Sequence, residues 1–407
     1  PWKEGGENRT FREALDHIVL ADKLGFDHAW AFEHHFTDDH SLLSSPSTWL
    51  AAAAALTENI RIGHGIACTP PAFVHPARLA EHIGTLDQIS NGRVEFGTGE
   101  SASRMELEGF GVDYATKRDA WLEAVREICN MMAMAPYPGF DGQFFKMPCR
   151  NVVPKPYQKP HPPLWVAGKP DLAARHGMGC LGFNAMSGDQ AKNAVDLYYK
   201  VLAEECVPIG HAINPNIAIL SLMHVHKDGD VANERAEHLK FFAYSVSEIY
   251  LQGEIKPGRQ ASWETFEKIR DQIPAMGGDH PTSAIGSVES VREHMRVMED
   301  AGVDQVLLMH QGGKMPHDQN CESLELFARE IMPEFAERHE ARERLKLERI
   351  APHIEAAMAR KDWRRPLTDD EIPVVRPYGS ASFIPTEQDF AEPVGVSEET
   401  KGALGIA

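Results

Sequence analysis

Apolar positions along the chain switch repeatedly between helical and strand-like spacing. In residues 11–24, Leu15, Ile18, Val19, Ala21 and Leu24 fall near helical spacing, and Gly25 ends the run. Residues 26–32 then read as a short strand. Residues 47–56 read as a helix with a serine to cap it, and 60–67 as a strand. Residues 76–89 read as a helix that carries Pro76 in its first turn. Asn91-Gly92 is a turn before a strand over 93–97. The same alternation predicts helices over 117–134, 172–176, 191–205, 231–250, 288–300 and 323–335. It predicts strands over 164–167, 180–186, 217–226 and 305–309. Two stretches rich in glycine and proline, 136–163 and 252–284, interrupt it as insertions.

Strand and helix in regular alternation imply a parallel sheet covered by helices. The strands are short and apolar, as strands buried on both faces are. Two architectures fit: an open doubly wound sheet and a closed eight-stranded barrel. No glycine-rich dinucleotide fingerprint follows the first strand, which weighs against the first. Beyond about residue 340 the composition changes. Residues 341–365 are helical in pattern and charged, while 366–407 carry Pro366, Pro373, Pro377, Pro385 and Pro393 with little periodicity. The chain therefore divides into a body over 1–340 and an extension over 341–407, a helix followed by a proline-rich arm. That extension reads equally as an arm over the body or a neighbouring subunit and as a partly disordered end.

Composition narrows the function classes. Asp plus Glu number 60 against 41 for Lys plus Arg, a net charge of −19. Such a surface repels nucleic acid and anionic membrane. The longest smooth apolar stretch, 49–56, is far too short to cross a bilayer. The opening Pro1-Trp2-Lys3-Glu4-Gly5-Gly6 is no secretory signal. Six cysteines at 68, 129, 149, 180, 206 and 321 include no CxxC pair. They read as buried thiols of a cytoplasmic protein, not as a disulfide framework or a zinc cluster.

In parallel α/β folds chemistry gathers beyond the carboxyl ends of the strands, so the residues after each strand are the candidates. Glu33-His34-His35-Phe36-Thr37-Asp38-Asp39-His40 follows the first strand. His64 lies in the second, and Gly97-Thr98-Gly99-Glu100-Ser101-Ala102-Ser103-Arg104 follows the third. Gly168-Lys169 follows the fourth, His224 and His226 lie on the sixth, and His310-Gln311-Gly312-Gly313 closes the last. Histidine exchanges protons near neutral pH, and its clustering at strand ends suits acid–base work. Metal ligation is the competing use. His224-Val225-His226 puts two imidazoles on one face of a strand, but late in the chain. Adjacent His34 and His35 point apart. No metal is expected at either pair.

An ordered set of motifs carries a family likeness. Gly25-Phe26-Asp27, Trp30, Glu33-His34-His35-Phe36-Thr37, Ile62-Gly63, His75-Pro76-Ala77-Arg78, Leu86-Asp87-Gln88-Ile89-Ser90-Asn91-Gly92-Arg93 and Phe96-Gly97 occur in succession. Phe110-Gly111, Arg118, residues 163–168 and Met332-Pro333 follow. Together they resemble the bacterial luciferase-like flavin-dependent monooxygenases, from residue 8 to about residue 340. The resemblance implies an α/β fold of the TIM (β/α)8 barrel type with two insertions and a C-terminal extension. It implies reduced FMN as cofactor, O2 as co-substrate, a flavin hydroperoxide as the oxygenating species and a small organic molecule as substrate. It also implies a separate NAD(P)H:flavin reductase as partner, and a homo-oligomer. A deazaflavin-dependent hydride-transfer enzyme and a non-catalytic flavin-binding paralogue are the alternatives.

By the same likeness His34 is the catalytic base and His35 its companion. Gly65 and Ile66 lie under the flavin ring, joined by a cis peptide of a kind rare outside proline, and His64 faces the ring or the core. Ser101, Ser103, Arg104, Arg118, Gly168 and Lys169 gather at the phosphate. There are two departures: Glu100 stands in the place of a phosphate-binding arginine, and Gly99 in that of a reactive cysteine. The family's first barrel strand should precede the first helix, yet residues 1–9 carry no strand pattern. Either the sequence begins after that strand or another segment fills its place. Phe140, Phe144, Phe145, Tyr157 and Trp263 of the insertions are candidates for an apolar pocket lining.

Overall fold

A computed structural model describes residues 5–37, 39–252, 256–258, 261–273 and 282–375 of the chain. The first half comprises α1 (Gly6–Leu24), β1 (His28–Ala31), α2 (Pro46–Leu56), β2 (Arg61–His64), β3 (Ala67–Cys68), α3 (Pro76–Ile89), β4 (Val94–Gly99), α4 (Arg104–Gly109), α5 (Lys117–Ala133) and a hairpin of β5 (Phe140–Asp141) and β6 (Lys146–Met147). The second comprises β7 (Leu164–Ala167), α6 (Pro170–Arg175), β8 (Gly179–Gly182), α7 (Gly188–Glu205), β9 (Ile217–His226), α8 (Gly229–Ala236), α9 (Lys240–Ser247), α10 (Ser262–Ile269), β10 (Ala284–Ser287), α11 (Val288–Asp300), β11 (Gln305–Met309), α12 (His317–Glu330) and α13 (Met332–Ala359). The single helix expected over 231–250 is broken into α8, a 3-10 turn, α9 and a π-helical turn over Glu248–Gln252. The insertion over 252–284 contains α10 and the start of β10, and parts of it lie outside the described residues. Elements as short as α4 and β10 offer too few positions for a period to show in sequence.

β1, β2, β4, β7, β8, β9 and β11 pair in that order, all parallel, and curl into an open barrel. β10 pairs beside residues 223–226 of β9, and β3 beside the end of β4. Among the described residues β1 and β11 are the two edges and do not pair with each other, so the curl stays open along one seam. This is the expected barrel architecture, with seven strands on its main path.

Alternate residues of a strand face opposite sides. Ile62, Val94, Phe96, Leu164, Val166, Ile217 and Ile219 point outward into the core shared with the helices. Trp165, Leu181, Ala218, Leu220, Leu222, Leu307 and Met309 form the inner cluster, against which Trp30, Phe32 and Ile66 pack. Burial of both faces explains the continuous apolar runs of the sequence. β2 and β4 differ on their inner side, which runs Arg61-Gly63 and Glu95-Gly97-Gly99. Glu95 is 3% exposed, pairs with Arg61 and accepts the Trp165 Nε1–H at 2.5 Å. Charge thus plugs the amino end of the barrel. Above it the glycines admit close neighbours. A Cβ on Gly63 would meet the Trp30 ring at 2.3 Å, and one on Gly97 would lie 1.9 Å from the His64 carbonyl oxygen.

α13 runs unbroken through position 340, where the sequence suggested a boundary. Buried Lys346 anchors it, with Nζ 3.1 Å from Asp304 Oδ1 and 2.8 Å from Asn216 Oδ1. Beyond the helix Arg360 donates to the carbonyls of Cys206 and Ala203, and Lys361 to those of Pro208 and Ile209. The chain to Arg365 forms one compact unit and residues 366–407 a second. Of the second, 366–375 are described, with Thr368 capping a 3-10 turn over Asp369–Glu371; the rest of the expected arm lies outside the described residues. Among the described residues no helix is long and apolar enough to cross a membrane.

Candidate active site

The loop after β1 sets Glu33, His34 and His35 at the carboxyl-end rim of the barrel. α4, following β4, brings up Glu106, which is 2% exposed. Glu106 Oε1 lies 3.0 Å from His34 Nδ1 and accepts the His35 backbone N–H at 3.0 Å, while Oε2 accepts the Ser101 hydroxyl at 2.5 Å. Burial pushes the Glu106 pKa upward. Hydrogen bonding and attraction to His34, with the Ser101 and His35 donors, outweigh it and hold the carboxyl below its usual range. An ionised carboxylate only accepts, so the His34 proton on this side sits on Nδ1. Nε2 of His34 is left without a hydrogen-bond partner among the described residues, beside a cavity that His34 lines.

The far side of His34 is closed by His40, from the same loop after β1, and by the segment after β9. The His40 ring meets the His34 ring edge-on at 4.7 Å, and His40 Nδ1 lies 2.9 Å from Ser245 Oγ on α9. Burial, reinforced by His34, pushes the His40 pKa down to about 3, so this ring is neutral at pH 7. The Tyr250 hydroxyl lies 3.4 Å from His34 Nδ1, and burial pushes its pKa up. His35 turns elsewhere. Its Nε2 lies 3.0 Å from Glu33 Oε1, and its ring meets Phe110 edge-on at 4.7 Å. Glu33 Oε2 in turn accepts the Cys68 backbone N–H at 3.2 Å, and burial raises the Glu33 pKa against the pull of His35.

The cavity, about 1420 Å³, descends from this rim into the barrel and opens along the seam between β1 and β11. Trp30, Phe32, Ile66, Leu181, Phe183, Leu220, Leu222, Leu307 and Met309 give it an apolar wall, and His34, Ser101 and Lys117 stand among its polar groups. Gly65 and Ile66 also line it, and the peptide between them is cis. His64 does not line it. That ring is fully buried on the outer face of β2, with Nε2 3.0 Å from Ser47 Oγ on α2, and burial pushes its pKa down to about 4.

The expected phosphate group disperses in three dimensions. Ser101 lines the cavity, in a left-handed backbone conformation with φ 59°. Ser103 is buried away from the cavity. Arg104 extends into solvent and pairs with Glu108 at 2.6 Å. Arg118 pairs with both oxygens of Glu100, at 2.6 and 2.8 Å. Gly168 and Lys169 line a separate pocket of about 380 Å³. The cation that lines the main cavity beside Ser101 is Lys117, whose Nζ lies 2.7 Å from the Ser101 carbonyl oxygen and 3.1 Å from Glu100 Oε1, while Arg342 of α13 lines the cavity elsewhere. Glu100 is therefore bridged by two cations, which lower its pKa although burial opposes them.

Glu106 and Lys117 escaped the sequence reading. Arg104-Met105-Glu106-Leu107-Glu108 shows two carboxylates with nothing to say which face of a single helical turn is buried. Lys117 sits beside Arg118, and the family likeness drew attention to the latter. The five insertion aromatics do not line the cavity: Phe145 and Phe140 join the outer core, Tyr157 is exposed, and Trp263 packs with Phe241 and Phe266.

A curled parallel sheet with a histidine–carboxylate pair over an apolar cavity at its carboxyl end describes an α/β-barrel enzyme scaffold. The model of one family, luciferase-like monooxygenase, matches residues 1–305, and the chain belongs to that family. The oxygenase component of the flavin-dependent trigonelline monooxygenase of Acinetobacter baylyi is 25% identical over 338 residues, spanning 81% of this chain and 91% of that protein. Among solved structures, a type II Baeyer–Villiger monooxygenase matches with a TM-score of 0.62 at 20% identity, covering 80% of this chain and 93% of that one. It is the oxygenating constituent of 3,6-diketocamphane monooxygenase from the CAM plasmid of Pseudomonas putida, in complex with FMN. An F420-dependent secondary alcohol dehydrogenase, in complex with an F420–acetone adduct, matches with a TM-score of 0.61 at 20% identity, covering 79% and 94%. Both structures share the fold of this chain.

Proposed function

We propose that this chain is a flavin-dependent monooxygenase that uses reduced FMN and O2 to oxygenate a small, largely apolar organic substrate. The observation that carries this reading is His34, held by Glu106 at the mouth of a deep apolar cavity. The flavin-dependent relatives support the cofactor.

The residues present fit a flavin. Ile66, Leu181 and Leu220 offer an apolar wall to a planar ring, with the Gly65–Ile66 peptide among the lining. At the rim Lys117 offers an ammonium to a phosphate. Reduced flavin, when bound, supplies the electrons for O2 activation. The chain's own part is to bind, to exclude water and to manage a proton. The apolar wall keeps water from the reacting atoms. Glu106 fixes the His34 ring, whose Nε2 exchanges a proton with an oxygen atom of the substrate. In this reading a separate NAD(P)H:flavin reductase delivers the reduced cofactor.

Anaerobic titration with photoreduced FMN, followed by mixing with aerated buffer in a stopped-flow instrument, tests the proposal. Reduced FMN should bind, and O2 uptake should become substrate-dependent. No binding of reduced FMN would sink it. The F420-dependent neighbour supports a second reading, hydride transfer to a deazaflavin. Reduction of a deazaflavin by a secondary alcohol without O2 would favour that reading instead. In either case His34→Ala should lower turnover by about 10²-fold or more, while unfolding stability shifts by less than about 1 kcal/mol. Equal loss of both would assign His34 a packing role.

A further inference from the structure

Four side chains meet at the open seam, where His17 and His310 line the same cavity as His34 but take no part in the chemistry above. His17 belongs to α1, which precedes edge strand β1. His310 directly follows edge strand β11, and His317 and Cys321 belong to α12, which comes next. We propose that His17, His317 and Cys321 bind one divalent ion of zinc type, with His310 or water in the fourth position, and that this ion ties α1 to α12 across the seam.

Geometry is the first support. One ligand atom from each of His17, His317 and Cys321 falls within 4.8 Å of the other two. Cys321 Sγ lies 3.6 Å from His317 Nε2. Tetrahedral zinc, with its usual bonds to sulfur and nitrogen, separates two such ligands by about 3.6 Å. His317 and Cys321 are four residues apart on α12, so they share one helix face. The rings of His17 and His317 stack with centroids 4.7 Å apart, and the His310 ring stands edge-on to His17 at 5.2 Å. Binding requires one of the two stacked rings to turn, because parallel imidazoles hold their in-plane lone pairs in parallel planes.

The second support is a set of orphaned polar atoms. His17 is 4% exposed, and neither of its ring nitrogens has a hydrogen-bond partner. His317 Nδ1 and His310 Nε2 are likewise buried and unpartnered. Buried polar atoms in folded proteins are normally satisfied; His224 too has both ring nitrogens unpartnered, but among the described residues only here do such rings gather beside a thiol within ligand distance of one another. A cation that takes one lone pair from each ring satisfies a His17 nitrogen and, in the fourth position, His310 Nε2. Nitrogen and thiolate donors favour a borderline-soft ion such as zinc over calcium or magnesium, which take oxygen ligands. With its three protein ligands on two helices, the ion has a structural role, joining the elements next to both edges of the sheet.

Cobalt(II) is the probe. Protein stripped with a chelator is titrated with cobalt(II), and then with zinc(II) as competitor. One equivalent should bind, with a thiolate-to-cobalt charge-transfer band and intense tetrahedral d–d bands, and zinc should displace it. Cys321→Ser and, separately, His317→Gln should weaken binding at least tenfold, with the charge-transfer band lost in the former and the far-UV circular dichroism of both unchanged. Zinc should raise the thermal midpoint of the parent protein and leave that of Cys321→Ser unmoved. A parent protein that shows no thiolate band overturns the proposal. So does a band that survives Cys321→Ser, which would place the ion on another thiol.

Discussion

Glu106 shows how one buried carboxylate sets what a neighbouring histidine does. It fixes the His34 ring through Nδ1 beside the cavity that His34 lines, so it is a positioning residue. Replacing Glu106 with Gln should lower kcat about 10- to 100-fold, the size of effect typical of such supporting partners. KM should change little, and the pH profile of kcat should alter, which a purely structural role would not cause. The same residue makes a stability prediction. Its folded pKa is depressed below the usual carboxylate value, so its contribution is present above that value and is lost as pH falls through the folded one. The difference in urea midpoint between the parent and Glu106→Gln should therefore be large at pH 7 and vanish in strong acid; a pH-independent difference would contradict the pairing. His34 was legible in sequence because histidines at a strand end are few and adjacent. Glu106 was not, because its partner lies 72 positions away.

Among the elements, β4 and α13 carry the clearest tests. Gly97 sits where β4 presses on the backbone of β2, and an added Cβ would lie 1.9 Å from the His64 carbonyl oxygen. Backbone cannot rotate away as a side chain can, so Gly97→Ala should cost about 3 kcal/mol or more in urea unfolding. Gly168→Ala, whose Cβ would meet only Leu172 at 3.4 Å, should cost less than about 1 kcal/mol. Comparable losses in both would show that the approach of β4 to β2 relaxes. α13 is fastened by Lys346, which is 9% exposed and bound to Asp304 and Asn216. Lys346→Ala removes the cation beside the buried Asp304 carboxylate, leaving it the Tyr199 hydroxyl and the Ile217 N–H, and should cost about 3 kcal/mol. An unchanged midpoint would mean that α13 adds little to the unit it packs on. The helical pattern after residue 340 was visible in sequence. Its continuity with the helix before 340 was not, because polar residues on both sides of the join concealed which face lies on α7.

For the whole molecule, buried histidine sets the response to acid. His64, His161 and His224 are each held near 4 by burial, against an ordinary value of 6.5. Above pH 6.5 both folded and unfolded chains leave them neutral. Between about 6.5 and 4 only the unfolded chain takes up these protons, so stability falls as pH drops, by about 1.4 kcal/mol per pH unit for each histidine at most. Urea midpoints at pH 7 and pH 5 should differ markedly; equal midpoints would refute the burial argument. By itself the sequence determined the alternation of strand and helix, the barrel class, the family and the rim that carries His34, because each is written in local periodicity or in motifs a few residues long. Only the tertiary structure decided which polar residues meet. It sent His64 outward, scattered Arg104, Arg118 and Lys169 from the cavity, replaced them with Lys117, and joined His17 to Cys321 across some three hundred residues. The reason is physical. Curling the sheet brings distant strand ends to one rim and its two edges to one seam, and strand parity then selects which side chains face the space enclosed.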